Sequence, residues 1–297
     1  MGYRQVVIKK SDKMKLKDNN LIIINNDNER KVPLEDINFI ILEDNKTVIT
    51  ARLLSEISKY FISFIICDEK YEPASIMFAY NNHYKQLESF SFQLSLTEEL
   101  KSNLWQSIVK KKIENEIITL EMTTHDENVI YKLKQFQNEV EKNDVTNREG
   151  LAAKMYFRSI FGSQFIRFYD DSINSALNYG YTIIKSCILR TIVKFGLNSF
   201  LGIHHHSKTN NFNLAFDLIE PYRSVVDLYV YNNQNNIEFP LSFDTRKELI
   251  NLLNFEVISN NMHCTVEYSI ELLVKSYIKS LECGINCLVF PNIINDK

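Results

Sequence analysis

Residues 202–227 read GIHHHSKTNNFNLAFDLIEPYRSVVD. Three histidines sit in a polar, Asn-rich turn, a short apolar run follows, and Asp217 and Glu220 emerge from it three residues apart. On a helix that spacing puts both carboxylates on one face. An imidazole from the preceding turn then has a way to meet them over a divalent cation. Pro221 follows Glu220 directly. Inside a helix it removes a backbone donor, so the helix is expected to kink or restart there, and a kink beside a carboxylate fixes the direction of that carboxylate. A second reading of the same residues stands open. Asp217 and Glu220 also fit the polar side of an amphipathic helix that buries Leu214, Phe216, Leu218 and Ile219, with Arg223 as a structural partner for Glu220.

Outward from this stretch the periodicity is helical. Leu87, Phe90 and Leu94, then Leu104, Ile108, Ile113 and Ile117, recur at helical spacing. Further helices are predicted over Val129–Val140, Arg148–Phe161, Asp170–Phe195, Asn213–Tyr229, Thr245–Leu253 and Thr265–Leu281. Thr146 or Asn147 is a cap for the helix that carries Glu149. The Asn-rich spots at 232–236 and 260–261 read as surface turns. Toward the N-terminus the pattern changes to short strands at Arg4–Lys10, Lys13–Lys17, Asn20–Ile24, Ile37–Leu42 and Phe61–Ile66, with one helix at Ala51–Tyr60 after Thr50. The expected class is α+β. A small β-rich domain occupies residues 1–72, a linker 73–84, and a mainly helical catalytic domain 85–297.

Composition agrees with this. A chain with 45% hydrophobic and 24% charged residues is ordinary globular material, not a disordered one. With 7 Gly and 5 Pro in 297 residues there are too few turn residues for an all-β sandwich or barrel. A formal net charge of −3 excludes a uniformly basic nucleic-acid coat but leaves room for a local basic face. The five cysteines are dispersed and odd in number, which fits reduced, mostly buried thiols. No apolar signal core and no apolar run of about 18 residues is present, so a cytoplasmic protein off the membrane is expected.

Several residues carry candidate chemistry. Glu149 opens the helix REGLAAKMYFRSIF, where a first-turn acid also simply complements the helix dipole. Gly150, Ala152 and Ala153 strip one side of that helix to small residues. One His with two carboxylates suits a hard ion, Mg²⁺ or Mn²⁺, better than zinc. Lys154 and Arg158, four apart on the turns after Glu149, offer a phosphate contact. The other basic residues, among them Lys110, Lys111, Lys112, Lys185, Arg190 and Lys194, read as solvated decoration. No P-loop, GxGxxG or GxSxG motif appears.

Two stretches, NREGLAAKMYF at 147–157 and NSALNYGYTIIKSCILRTIVKFGLNSFLGIHHHSKTNNFNLAFDLIEPYRSVVD at 174–227, carry a specific resemblance. With motifs E-G-x-x-A-x-x-Y-F, N-x-A-L-N-Y-G-Y, G-x-x-H and D-L-x-E-P-x-R in that order, the chain resembles the integrase (endonuclease) subunit of the CRISPR spacer-acquisition module. The variety is the one found with type II single-protein effectors, and the resemblance covers nearly the full length. It implies a Mg²⁺ or Mn²⁺ site made by Glu149, His205 and Glu220. The spacing from Gly202 selects His205 over His204 and His206. Asp217 matches a more peripheral acidic position, and Asn174, Asn178 and Tyr179 match an architectural motif that would brace the site. Lys154, Arg158 or Arg223 would steady the DNA backbone. The implied reaction is insertion of a short prespacer duplex into a CRISPR array by 3′-hydroxyl attack on a phosphodiester at the repeat boundary. Implied partners are double-stranded DNA (prespacer, repeat and leader), a second copy of the chain through the β-rich domain, and the small second adaptation subunit. A ring-shaped accessory protein and the effector nuclease are implied further partners. Two rival readings are a non-catalytic helical scaffold that binds DNA or protein, and an unrelated metal-dependent phosphohydrolase.

Overall fold

The computed structural model describes residues 2, 4–77, 79 and 86–294. They divide into two compact units, Met1–Tyr84 and Lys85–Lys297.

The first unit holds two four-stranded sheets. In one, β1 (Arg4–Ile8) runs parallel to β5 (Ile37–Leu42), β5 parallel to β7 (Ser63–Cys67), and β7 antiparallel to β8 (Pro73–Met77). In the other, the order is β4 (Asn28–Pro33), β3 (Asn20–Asn25), β2 (Lys13–Lys17) and β6 (Val48–Ile49). Strand β5, INFIIL, is buried along its whole length, as a central strand covered on both faces must be. The β2–β3 hairpin turns on Asp18 and Asn19, both left-handed at φ 50° and 57°, the conformation that a two-residue type I′ turn demands and that Asp and Asn tolerate. Helix α1 (Ala51–Lys59) closes the core through Leu53 and Ile57, which pack with Ile8, Met14, Leu21, Ile40 and Phe64. Pro73–Met77, which the sequence placed in a linker, pairs instead with β7 from Phe64 to Cys67. Apart from Ala79, the remainder of the expected linker lies outside the described residues.

The second unit is helical, and α3 is its central element. It comprises α2 (Gln86–Leu94), α3 (Glu98–Met122), α4 (Glu127–Glu139), α5 (Arg148–Phe161), α6 (Ser172–Lys194), α7 (Asn213–Ile219), α8 (Arg223–Asn233), α9 (Phe243–Asn251) and α10 (Val266–Cys283). Caps set the starts: Thr97 accepts from Leu100 N for α3, Asp126 from Val129 N for α4, Asp171 from Asn174 N for α6 and Thr265 from Tyr268 N for α10. Helix α3 is buried nearly all round, because α4, α5, α7 and α8 pack against it. Helices α6 and α8 cross closely at Gly180, where an added Cβ would stand 2.5 Å from Val226 Cγ1. A small sheet completes the unit, with β9 (Glu256–Ser259) between β10 (Met262–Thr265) and β11 (Pro291–Ile293). The Asn260–Asn261 turn, left-handed at φ 51° and 61°, joins β9 to β10. The expected order of a small β-rich part followed by a larger helical one is the order found.

The helix predicted over Asn213–Tyr229 is interrupted where Pro221 was expected to kink or restart it, by a 3₁₀ turn at Glu220–Tyr222 between α7 and α8. One expectation needs correcting. The cysteines are free thiols, but only Cys67 and Cys187 are buried, while Cys283 is exposed. Among the described residues no helix is long and apolar enough to cross a membrane.

Candidate functional site

Glu149 is placed by a doubly capped helix start. Asn147 adopts the left-handed region at φ 52° and accepts from Gly150 N, while the Asp144 carboxylate accepts from Arg148 N at 2.8 Å and Glu149 N at 3.0 Å. These acceptors satisfy first-turn donors that the helix itself leaves open. They also fix Glu149 at the second helical position, part-exposed, on the end of α5 that faces α3.

The histidine turn folds around one buried carboxylate. Asp217 Oδ2 accepts from Ile203 N at 2.6 Å and His204 N at 3.2 Å, and Oδ1 accepts from His205 N at 3.1 Å. Gly202 is required by this closeness, since a Cβ there would stand 2.2 Å from the His205 carbonyl oxygen and 2.8 Å from Asp217 Oδ2. The His205 Nδ1–H donates to Asp217 Oδ1 at 2.6 Å, which leaves Nε2 as the lone-pair nitrogen. That hydrogen bond raises the His205 pKa above its usual value, against the opposing effect of burial. Trp105 of α3 stacks flat on His204, with ring centroids 4.3 Å apart, and meets His205 edge-on. His204, part-buried on this ring, titrates below the ordinary imidazole value. Asp217 therefore serves the histidine turn, and the expected sharing of one ion by Asp217 and Glu220 is not what the structure builds.

Glu220 stands at the break that Pro221 causes. The Pro221 carbonyl accepts from Asn115 Nδ2 of α3 at 2.7 Å, which ties the break to the central helix. Arg223 Nε donates to Glu220 Oε1 at 2.9 Å and Oε2 at 3.0 Å, and Nη2 donates to Oε1 at 2.8 Å. Glu220 Oε2 also faces Lys112 Nζ at 2.6 Å. Burial works to raise the Glu220 carboxyl, but Arg223 and then Lys112 outweigh it and hold it at about 2. Arg223 is thus a partner of Glu220, as its sequence spacing already allowed.

Lys112 is the residue the sequence reading missed. It sits between the two acids, paired with Glu149 Oε1 and with Glu220 Oε2. Burial acts to lower its pKa, yet Glu220 and Glu149 more than offset that and keep the ammonium charged. Taken with its neighbours as surface decoration, Lys112 is instead 7% exposed. The signal was present: position 112 lies one heptad beyond Trp105 and one turn beyond Ile108, in the stripe of α3 that is buried. A lysine in such a stripe needs a carboxylate. Lys111, too, is held, by Glu114 at 2.8 Å and Asn292 at 2.6 Å. One turn further along, Glu116 is 3% exposed and its Oε2 has no hydrogen-bond partner. Burial pushes its carboxyl up to about 8, with Lys112 opposing.

The remaining expected residues lie elsewhere on these helices. Lys154 and Arg158 are exposed on α5. Asn178 is exposed on α6 and accepts from Arg167 Nη2 at 2.8 Å, so it holds an arginine and not the acids. Asn174 is buried, accepts from Arg167 Nη1 at 2.7 Å and donates to the Ile166 carbonyl, bracing the loop ahead of α6. Beneath the site Asp227 accepts from Tyr156 at 3.1 Å and from Tyr181, and burial pushes its carboxyl up to about 6 despite both donors.

Among the described residues no three His, Cys, Asp or Glu side chains stand as a closed ligand set. The donors nonetheless fit a hard divalent ion. Two carboxylates from separate elements already share a cation, the Lys112 ammonium. His205, near enough for both acids to favour its charged form, offers one nitrogen. Oxygen-rich sets with a single imidazole suit Mg²⁺ or Mn²⁺.

A profile of the family described as CRISPR associated protein Cas1 matches residues 6–259. A protein named CRISPR-associated endonuclease Cas1, from Neisseria meningitidis serogroup C (strain 8013), is 34% identical over 279 residues, 93% of this chain and 91% of its own. Among solved structures, a casposase bound to integration product superposes with a TM-score of 0.80 at 19% identity, covering 96% of this chain and 92% of that one. A CAS1 protein from Thermotoga maritima superposes with a TM-score of 0.75 at 16% identity, covering 96% and 99%. At those identities the two structures speak for the fold.

Proposed function

The chain belongs to the Cas1 family of CRISPR-associated proteins, and on that premise we propose that it is a divalent-metal-dependent DNA integrase and endonuclease that inserts prespacer DNA into a CRISPR array. The observation that carries this reading is the sharing of one cation by Glu149 of α5 and Glu220 of the α7–α8 break. Residues far apart in sequence meet there, beside an imidazole oriented by a buried aspartate.

Glu149, Glu220 and His205 Nε2 would hold Mg²⁺ or Mn²⁺. When bound, the ion supplies positive charge against the oxygens on phosphorus and eases deprotonation of the attacking hydroxyl. The protein's own groups do the rest. Asp217 keeps the Nδ1 proton in place, so that Nε2 keeps its lone pair. Arg223 keeps Glu220 ionised and fixes both of its oxygens. In the proposed step a 3′-oxygen of the incoming DNA forms a bond to phosphorus as the bond to the departing 3′-oxygen breaks. The attacking hydroxyl loses a proton and the departing oxygen gains one, so the number of phosphodiesters is conserved. Water in the place of the hydroxyl gives hydrolysis, the endonuclease activity that the Neisseria relative is named for.

The proposed partners are double-stranded DNA, a second copy of this chain joined through residues 1–72, and the small second adaptation subunit. A complex named for Cas6, RT, Cas1 and Cas2 shares the fold, with a TM-score of 0.75. The ring-shaped accessory protein and the effector nuclease are proposed on the sequence resemblance alone, as is a cytoplasmic location.

The test is a plasmid integration assay with the small subunit and Mn²⁺. Glu220→Gln with an unchanged melting curve is expected to lose strand transfer by at least about a hundredfold, as removal of a charge-stabilising group does. Integration at the wild-type rate would overturn the assignment of Glu220, and no integration by the wild type would leave the scaffold reading.

A further inference from the structure

The site as built is electrically closed. Two carboxylates, Glu149 and Glu220, face two cations, Lys112 and Arg223. A divalent ion placed against both acids would leave an excess of positive charge in a buried setting, and such an excess is costly. One of the cations has to give way. Arg223 is bound to Glu220 through three hydrogen bonds, whereas Lys112 makes one contact to each acid and has a flexible stem. The lysine is the mobile partner.

It also has a destination. Glu116 lies four residues on along α3, the spacing at which two helical side chains face each other. It is 3% exposed, and its Oε2 has no hydrogen-bond partner. A buried polar atom left open costs stability unless it serves something else. The proposed metal chemistry gives Glu116 no task.

We propose that Lys112 is the resident cation of the metal site and that Glu116 is its receiving partner. When a divalent ion binds, the ammonium leaves the gap between Glu149 and Glu220 and moves one turn along α3 to the open oxygen of Glu116. Until then it holds the two acids together against their mutual repulsion. Lys112 and Glu116 are positioning residues, acting through the ligand carboxylates. This rests on the reading of Glu149 and Glu220 as metal ligands.

Mn²⁺ affinity, measured by calorimetry on the full chain without DNA, separates the two claims. Lys112→Met removes the competing cation, and its Mn²⁺ affinity is expected to rise about tenfold or more over wild type. Glu116→Gln keeps the shape but cannot give up a proton to become the anion that receives the ammonium, and its affinity is expected to fall by at least about threefold. A purely structural role would weaken both variants alike. Wild-type affinity in either variant, or weaker binding by Lys112→Met, overturns the exchange while leaving the metal site standing. No Mn²⁺ binding by the wild type would remove the metal site and the exchange together. Should Lys112→Met fail to fold, Lys112→Gln takes its place: tighter binding than wild type supports the exchange, and equal or weaker binding overturns it.

Discussion

At the scale of single residues, position 116 shows how burial governs a charge. An ordinary glutamate titrates near 4.5, and burial inside α3 raises Glu116 to about 8. Between those values the folded chain holds a proton that the unfolded chain has released. Stability therefore falls as pH rises across that window. In EDTA, the melting temperature of wild type is expected to drop from pH 5 to pH 8.5 by more than that of Glu116→Gln. Parallel curves for the two proteins would show that Glu116 is not held protonated. Glu149, His205 and Glu220 were singled out through the family resemblance, whereas spacing alone pointed to Asp217 beside Glu220, and the structure turns those two carboxylates to different partners. Lys112 and Glu116 were not singled out, because a run of three lysines reads as a solvated face until the helix is known to be buried all round. Trp105 and Ile108, in register with Lys112, were the available clue.

At the scale of elements, the helices were legible to within a few residues because their apolar faces repeat and their caps are Thr, Asp and Asn. The strand β4, NERKVP, was not, since its exposed face carries no alternation. Strands β9 and β10 were also missed, although the Asn260–Asn261 turn between them was read as a turn. Four-residue strands are too short to show a period. The break between α7 and α8 was readable from Pro221, and it is the feature that turns Glu220 toward α3 and away from Asp217. The close crossing of α6 and α8 has its own consequence. Gly180→Ala would bring a methyl group to 2.5 Å from Val226 Cγ1, and the stiff Val side chain has little room to yield. A loss of about 1–3 kcal/mol is expected, as in other overpacked sites, read as a lower denaturant midpoint with an unchanged slope. A midpoint equal to wild type would mean that the two helices are free to separate.

At the scale of the whole molecule, the net charge of −3 says that any DNA contact must be local. On the proposed function, exposed Lys154 and Arg158 of α5 meet phosphates. Replacing both with Gln is expected to weaken duplex binding about equally for all sequences and to lower the salt slope by about 1–2. An unchanged slope would place the DNA on another face. The division into two units has no bearing on that experiment, since every proposed ligand lies within Lys85–Lys297. The most direct test of the central claim is anomalous diffraction at the manganese edge from crystals of the protein soaked in Mn²⁺. A single strong peak within coordination distance of Glu149, Glu220 and His205 Nε2, with Lys112 drawn away from between the acids, is the expected result. A peak elsewhere, or none while Lys112 still bridges the two carboxylates, would contradict it.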